Sequence, residues 1–312
     1  MHDRAAGASY VPDFFEPMLV EQYGADEARR IVEGCAVRRA TTLRANTLLA
    51  TRDEVAGALD AAGISWNPVG WYDDAFVLES GMEWQLHDLP AYREGHLYLQ
   101  SLSSMVPAIA LGAQPGEDVC DLCAAPGGKT TQIAALTGNG AYVTACEMHA
   151  PRAEKLQHNL AKLGARNVTV MRVDARRLDD FFSFDRILVD APCSGSGTLR
   201  AHDPRTAKRF TRALIDKSLK AQKALLDKAL GLVKPGGTVV YSTCSVLACE
   251  NEEALTGALK RIRKRAQFEV QPVELPGADD LPTLPCSLEG ALCLAPNERY
   301  EGFFVAKVKR IA

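Results

Sequence analysis

The stretch that decides the fold is "DVCDLCAAPGGKTTQ", residues 118 to 132. An apolar run typical of a strand leads into a loop with two adjacent glycines and then into a helix-favouring segment. Further candidate strands follow, with amphipathic segments between them: "AYVTACE" (141–147), "VTVMRVDA" (168–175), "RILVDAP" (186–192) and "TVVYSTCS" (238–245). Apolar strands alternating with helices predict an α/β fold with a parallel sheet, whose ligands bind at the carboxyl ends of the strands.

The first part of the chain has a different organisation. "PDFFEPMLVEQYGADEARRIVEGCA" has helical periodicity, "TTLRANTLL" has the composition of a strand, and Thr51 is a candidate N-cap for "RDEVAGALDAAG". We therefore predict a small α+β module over residues 1–92 and a second domain over residues 93–312. "YLQSLSSMVPAIAL" (98–111) is predicted to lead into the second domain as a helix.

Composition limits the class of protein. Of 312 residues, 47% are hydrophobic and 24% are charged, which is the balance of a globular protein with a sizeable core. No apolar run reaches the ~18 residues of a spanning helix, and "MHDRAAGASY" lacks the layout of a signal peptide. We expect a cytoplasmic protein, without membrane attachment, whose nine cysteines remain thiols.

The glycine loop admits three interpretations. A phosphate-binding P-loop has "GKT" (Gly128, Lys129, Thr130), but the glycine required five residues earlier is Cys123. The dinucleotide pattern G-x-G-x-x-G does not occur in this loop. The third interpretation is a nucleoside cofactor without pyrophosphate, which Gly127 and Gly128 allow to approach the backbone closely.

Two acidic residues favour the third interpretation. Glu147 ends the second candidate strand, where it could accept hydrogen bonds from ribose hydroxyls, and Asp174 ends the third, where it could accept one from an adenine amino group. This arrangement suits an adenosine without phosphates and points to S-adenosylmethionine. The alternative is that both carboxylates only cap the helices that follow them.

Two cysteines follow candidate strands directly. Cys193 lies in "DAPCSGSG" and Cys244 in "YSTCS". If the cofactor donates a methyl group, a thiolate that adds to carbon 6 of cytosine would make carbon 5 nucleophilic, and a second thiol could assist release of the product. Asp190, three residues before Cys193, is a candidate acid for ring nitrogen 3.

The other cysteines are interpreted as small hydrophobic residues of the interior. Cys120 and Cys123 form a C-x-x-C pair, yet no second pair or nearby histidine completes a zinc site, and we predict no metal. The residues interpreted as buried are Cys35, Cys120, Cys146, Cys249, Cys286 and Cys293.

Several of these motifs together resemble one family. "DLCAAPGGKT", "DAPCSGSG", "YSTCS" followed by "ENE" (250–252), "LRANTL" (43–48), "LQSLSSMVPAIAL" and "EGFFVAKVKR" (301–310) are similar to the Nop/Sun family of RNA cytosine-5 methyltransferases, which includes the bacterial RsmB- and RsmF-type enzymes. The resemblance covers nearly the whole chain. It implies a Rossmann-like class I methyltransferase sheet of seven strands with the last antiparallel.

The resemblance also implies roles for individual residues. It assigns the nucleophile to Cys244 and release of the product to Cys193, with Lys129 and Asp190 in contact with the target base. Family members often carry an additional NusB-like or PUA-like RNA-binding domain, whereas this sequence begins with a short module instead. We expect this N-terminal module to contact RNA. The predicted cofactor residues are Cys123, Ala124, Ala125, Pro126, Gly127, Gly128, Lys129, Glu147, Arg152, Asp174 and Asp190.

A basic stretch is the candidate RNA surface. Residues 200–234 hold ten Lys or Arg against three Asp, although the whole chain has a net charge of −3. A local basic patch indicates either nucleic-acid binding or an ordinary solvated helix face. The residues expected to contact RNA are Arg200, Arg205, Lys208, Arg209 and Arg44.

The sequence thus predicts a monomeric methyltransferase that acts on cytidine in structured RNA, with ribosomal RNA preferred as substrate and transfer RNA as the alternative. From other classes, a P-loop-like NTPase and an inactive RNA-binding scaffold remain open.

Overall fold

The computed structural model describes residues 10–278 and 281–312. The segment "MHDRAAGASY" was considered for a signal peptide, and residues 1–9 of it lie outside the described residues. Across the described ranges, no helix combines the length and the apolar character needed to span a membrane.

The first part of the chain forms a four-stranded antiparallel sheet in the order β2-β3-β1-β4. Its N-terminal helical segment is divided at Gly24, whose φ of 83° ends the first helix. Thr51 caps the third helix as predicted, in a capping box with Glu54. The elements are α1 (Phe15–Tyr23), α2 (Ala25–Ala36), β1 (Thr41–Ala45), α3 (Arg52–Ala61), β2 (Trp66–Pro68), β3 (Ala75–Leu78), α4 (Glu83–Leu86), α5 (Pro90–Arg93) and β4 (Leu97–Leu99).

The second part alternates strands and helices, as the sequence predicts. Three short 3-10 helices also occur, over Ala175–Arg177, Ser196–Thr198 and Ala248–Glu250. The remaining elements are α6 (Leu102–Leu111), β5 (Asp118–Asp121), α7 (Gly128–Leu136), β6 (Tyr142–Cys146), α8 (Ala150–Lys162), β7 (Val168–Met171), β8 (Phe184–Asp190), α9 (Pro204–Arg209), α10 (Arg212–Leu232), β9 (Val233–Thr243), α11 (Glu252–Ile262), β10 (Phe268–Gln271), β11 (Leu292–Leu294) and β12 (Phe303–Arg310).

The large sheet has the strand order β10-β12-β9-β8-β5-β6-β7, and β11 pairs with β12 beside this path. β12 runs antiparallel to β9 and β10, whereas the pairs from β9 to β7 are parallel. The predicted seven-stranded sheet with an antiparallel last strand is confirmed, with β11 as a short addition. The strand order reverses between β5 and β8, so the loops after these strands flank the crevice where such sheets bind ligands.

Two predicted elements differ from the structure. The segment predicted as a helix from residue 98 begins as β4, because Ser101 caps α6 by accepting a hydrogen bond from the amide of Ser104. β4 pairs with β1, so the first sheet extends beyond the predicted boundary at residue 92. The third predicted strand ends at Met171 rather than residue 175, because the Asp174 side chain caps the following 3-10 helix.

Both faces of the large sheet are covered by helices. α1, α2 and α10 contribute to the apolar cluster on one face, and α6 contributes to the cluster on the other. Cys35, Cys120, Cys146 and Cys293 are buried in the first cluster, whereas Cys249 and Cys286 are half-buried against it. All nine cysteines are free thiols.

Candidate active site

A cavity of 330 Å³ lies at the carboxyl ends of β5 and β8. One wall comes from the first part of the chain, through residues 98–101. Ser104, Thr198, Glu301 and Phe303, which sequence reasoning did not single out, also line it. The predicted site residues on its surface are Cys123, Ala124, Ala125, Pro126, Gly128, Lys129, Asp190 and Cys244.

The glycine loop is packed too closely for larger residues. Gly127 has a φ of 108°, and a Cβ there would lie 2.9 Å from the Leu156 Cδ1 atom. A Cβ on Gly128 would lie 3.2 Å from Cε1 of Tyr98. Gly128 therefore brings backbone to the cavity, whereas a side chain at Gly127 would press on Leu156 of α8.

Glu147 and Asp174 lie outside the lining of this cavity, and both have protein partners. The buried Glu147 carboxylate accepts from the His149 amide at 2.8 Å and pairs with Arg152 at 3.1 Å. Arg152 also donates to the Ala125 carbonyl at 2.8 Å, so it joins this acid to the glycine loop.

Asp174 accepts two hydrogen bonds from the Arg176 guanidinium, at 2.6 and 2.8 Å. These hydrogen bonds lower the pKa of Asp174. Asp174 thus caps the following 3-10 helix, as the capping alternative predicts, whereas Glu147 does not cap α8, whose N-cap is His149.

The two predicted thiols lie together. Asp190 and Ser242 are register partners on the parallel strands β8 and β9, and the chain reaches Cys193 and Cys244 two or three residues later. Their sulfur atoms are 3.1 Å apart. Cys244 lines the cavity and Cys193 lies outside its lining. The contact with Cys244 and burial raise the pKa of Cys193 well above its usual value.

Lys129 and Asp190 form an ion pair inside the cavity. The ammonium of Lys129 donates to Asp190 at 2.7 Å and to the Ser104 hydroxyl at 2.8 Å. The other Asp190 oxygen accepts from Ser242 at 2.8 Å. Burial alone would lower the pKa of Lys129, but the attraction of Asp190 outweighs it and the pKa is raised. The cavity thus presents a fixed ammonium group close to Cys244.

Asp121, at the end of β5, is a cavity residue that the sequence analysis missed. It is 1% exposed and accepts from Thr130 at 2.7 Å and from the Cys123 amide at 3.2 Å. Burial raises its pKa to about 6. Its position as the last residue of the strand before the glycine loop was the available signal.

The predicted RNA residues have different environments. Arg200, Lys208 and Arg209 are exposed and have no ion-pair partner among the described residues. Arg205 is exposed but both its Nε and Nη2 atoms bond Asp203. Farther along the basic stretch, two lysines are also paired, Lys228 with Asp180 and Lys234 with Asp118 and Asp185.

The expectation for Arg44 is corrected by its burial, because its side chain has no exposed surface. Its guanidinium donates to Gln100 at 3.0 Å, to Thr131 at 2.8 Å and to the Gly128 carbonyl at 3.2 Å. Arg44 therefore holds the start of α7 from inside the protein and presents no charge to an RNA phosphate.

Within residues 10–278 and 281–312, no group of three or more His, Cys, Asp or Glu side chains could hold a metal ion.

The strand order and the position of the site define the fold as a Rossmann-like methyltransferase fold. Residues 108–309 match the family described as 16S rRNA methyltransferase RsmB/F, and residues 11–85 match the ferredoxin-like domain of RsmF/B-like methyltransferases. The chain belongs to the RsmB/F family.

Relatives with curated names and with solved structures agree with this assignment. The chain is 35% identical over 286 residues to ribosomal RNA small subunit methyltransferase F of Shewanella loihica, covering 89% of this chain and 58% of that protein. The chain thus spans a little over half of this relative's length. A methyltransferase homologue from Pyrococcus horikoshii is 30% identical, with a TM-score of 0.78 and coverage of 96% and 99%. NSun6 from the same organism, solved with SFG, has a TM-score of 0.84, with coverage of 97% and 99%; at 21% identity it supports the fold alone.

Proposed function

We propose that this chain forms the catalytic part of an S-adenosylmethionine-dependent enzyme that methylates carbon 5 of a cytidine in ribosomal RNA. The observation that carries the proposal is the pair of sulfur atoms, Cys193 and Cys244, 3.1 Å apart beside the Lys129–Asp190 ion pair. Methylation at carbon 5 needs a nucleophile for carbon 6 and a group that assists release, and the two thiols provide both. The names of the relatives support ribosomal RNA as the substrate.

The residues around the cavity fit the proposed cofactor. The cavity of 330 Å³ is lined by this loop at residues 123–126, 128 and 129, and a Cβ on Gly128 would press on Tyr98, another lining residue. Asp121 supplies a carboxylate at the cavity wall, and Glu147 and Arg152 lie next to the loop. When bound, S-adenosylmethionine supplies the methyl group.

Cys244 is the proposed nucleophile because it lines the cavity and lies close to the ammonium of Lys129. The thiolate is the form of a cysteine that adds to carbon 6. Lys129 and Asp190 are proposed to orient the base, with Lys129 as the donor. Asp190 accepts hydrogen bonds from Lys129 and Ser242, so it holds Lys129 in place.

Cys193 is proposed to act after the adduct has formed. The contact with Cys244 is the largest cause of its raised pKa, and the charge of Cys244 also contributes. Once the Cys244 sulfur is bonded to carbon 6 it is an uncharged thioether, so the contribution of its charge is removed and Cys193 ionises more readily. Its thiolate can then take the proton from carbon 5, after which the double bond re-forms and Cys244 leaves.

Single substitutions of the two thiols test this order. Cys244→Ala should abolish methyl transfer and form no covalent complex with RNA. Cys193→Ala should accumulate a protein–RNA adduct that survives denaturing electrophoresis. Cys249→Ala, which removes another half-buried thiol of the same region, is the control and should behave like the unchanged protein. An adduct with Cys244→Ala but none with Cys193→Ala would reverse the two roles.

The substrate is tested separately. Bisulfite sequencing of total RNA from a deletion strain should reveal one or more ribosomal cytidines that lose methylation. Loss at a transfer RNA position alone would redirect the proposal to that substrate. We also expect the enzyme to be monomeric and cytoplasmic.

A further inference from the structure

Glu250 is a buried carboxylate that lies behind the two thiols. It ends the 3-10 helix Ala248–Glu250 and its side chain has no exposed surface. One oxygen accepts from the Ser194 amide at 2.8 Å and from Gln222 at 3.3 Å. The other accepts from the Ser194 hydroxyl at 2.5 Å and from the Ser245 hydroxyl at 2.6 Å. Two serines from separate loops thus share one carboxylate.

These serines directly follow the two thiols in the sequence. Ser194 comes after Cys193, and Ser245 comes after Cys244. The same two loops are also joined by hydrogen bonds that bypass Glu250. The Ser196 and Ser245 hydroxyl oxygens are 2.8 Å apart, and the Gly197 amide donates to the Cys244 carbonyl at 3.1 Å. Glu250 is thus one of several polar groups that join the two loops, and its carboxylate contacts both of them directly.

The charge of Glu250 has no cation to balance it among the described residues, where its partners are neutral donors. Burying a carboxylate costs free energy that hydrogen bonds must offset. Such a group is suited to this place because it only accepts hydrogen bonds, and all four groups that face it can donate. An amide would present its own donors to one pair of them.

We propose that Glu250 is a positioning residue for both thiols: through Ser194 and Ser245 it holds the two cysteine loops together and keeps the sulfur atoms within contact distance. The role in catalysis rests on the proposed function, whereas the role in geometry does not. Glu250 thus fixes the distance between the thiols.

The geometric role is tested without RNA, by equilibrium with glutathione. Oxidised glutathione takes two electrons from the pair, so that the Cys193–Cys244 disulfide and two reduced glutathione molecules form. The equilibrium constant, followed by mass spectrometry of the linked peptides, measures the effective concentration of one thiol at the other. Glu250→Gln should lower this constant about tenfold or more, the factor typical of losing a hydrogen bond to a charged group.

A matched control comes from the same segment. Glu252 is also buried but does not contact either cysteine loop through the hydrogen bonds described, so Glu252→Gln should leave the constant unchanged. Ser245→Ala removes one of the four hydrogen bonds to Glu250 together with the contact with Ser196, and it should also lower the constant, which keeps the test available if Glu250→Gln folds poorly. Equal constants for unchanged protein, Glu250→Gln and Ser245→Ala would overturn the proposal.

A second readout addresses catalysis. If the proposed function is correct, Glu250→Gln should bind S-adenosylmethionine normally but accumulate the RNA adduct expected of Cys193→Ala, because release depends on the position of Cys193. A lowered glutathione constant in a protein that forms no adduct in any variant would support the geometric role and contradict the proposed function. Release at the unchanged rate, with adduct chemistry intact, would overturn the role of Glu250 in catalysis.

Discussion

Replacing Arg44 with methionine would decide whether this side chain stabilises the protein interior or binds RNA. The guanidinium is fully buried, makes three hydrogen bonds, and lies over the Tyr98 ring at 5.4 Å. Methionine fills similar space without donors, so the acceptors on Gln100, Thr131 and Gly128 lose their partner. Each hydrogen bond to a charged group contributes ~1.5–3 kcal/mol.

Part of that loss is recovered, because the buried guanidinium no longer has to be desolvated. Burial already lowers the pKa of Arg44, which shows that the charge is held at a cost. We therefore expect a net loss of about 3 kcal/mol of unfolding free energy. For a chain of this size that corresponds to a fall of about 5 °C in Tm.

The assay is thermal unfolding of Arg44→Met beside Arg38→Met, which replaces an exposed arginine six residues earlier. The control should change stability by less than about 0.5 kcal/mol. Arg44→Met should also weaken S-adenosylmethionine, because the start of α7 is less firmly held. An unchanged Tm together with weaker, less salt-dependent RNA binding would refute the interpretation that Arg44 stabilises the interior, and would indicate that it contacts RNA.

Three further outcomes are expected. Glu147→Ala should weaken S-adenosylmethionine by ~1.5–3 kcal/mol in calorimetry, whereas unchanged affinity would mean that this residue only holds Arg152 and the His149 amide. Reversing the charges of Lys208 and Arg209, which have no ion-pair partner among the described residues, should flatten the slope of log RNA affinity against log salt by roughly 1.5; an unaltered slope would identify a solvated face. Burial raises the pKa of Asp121 from 3.8 to about 6, so the folded state holds this proton more tightly than the unfolded chain does. Its contribution to stability is therefore full below pH 3.8 and falls by about 3 kcal/mol as pH rises to 6, and Asp121→Asn should remove that slope from the unfolding free energy measured between pH 4 and 7.

The fold was largely predictable because its signals are local. Apolar strands and amphipathic helices follow one another in a pattern that admits few arrangements, and the glycine loop marks the first crossover. The error at β4 has a local cause as well. Three residues of strand precede a serine cap, and periodicity alone cannot separate such a short strand from the helix that follows it.

The environment of a side chain was less predictable than its position. Arg44 lies in a strand between apolar residues, and a charge in that pattern is usually exposed. Its acceptors come from residues 56 to 87 positions away, so the neighbouring sequence does not indicate them. Glu250 belongs to a motif that the sequence analysis quoted, but its partners Ser194 and Ser245 are joined to it only after β8 and β9 pair.

The same long-range contacts change the role expected of the first sheet. The sequence suggested a separate module that contacts RNA, yet β4 and the residues after it form one wall of the cavity. From β1 the side chain of Arg44 bonds the carbonyl of Gly128. The glycine loop is thus held on one side by the large sheet and on the other by the small one. Contact with RNA can be only part of what the first sheet does, because the geometry of the proposed cofactor site depends on it directly.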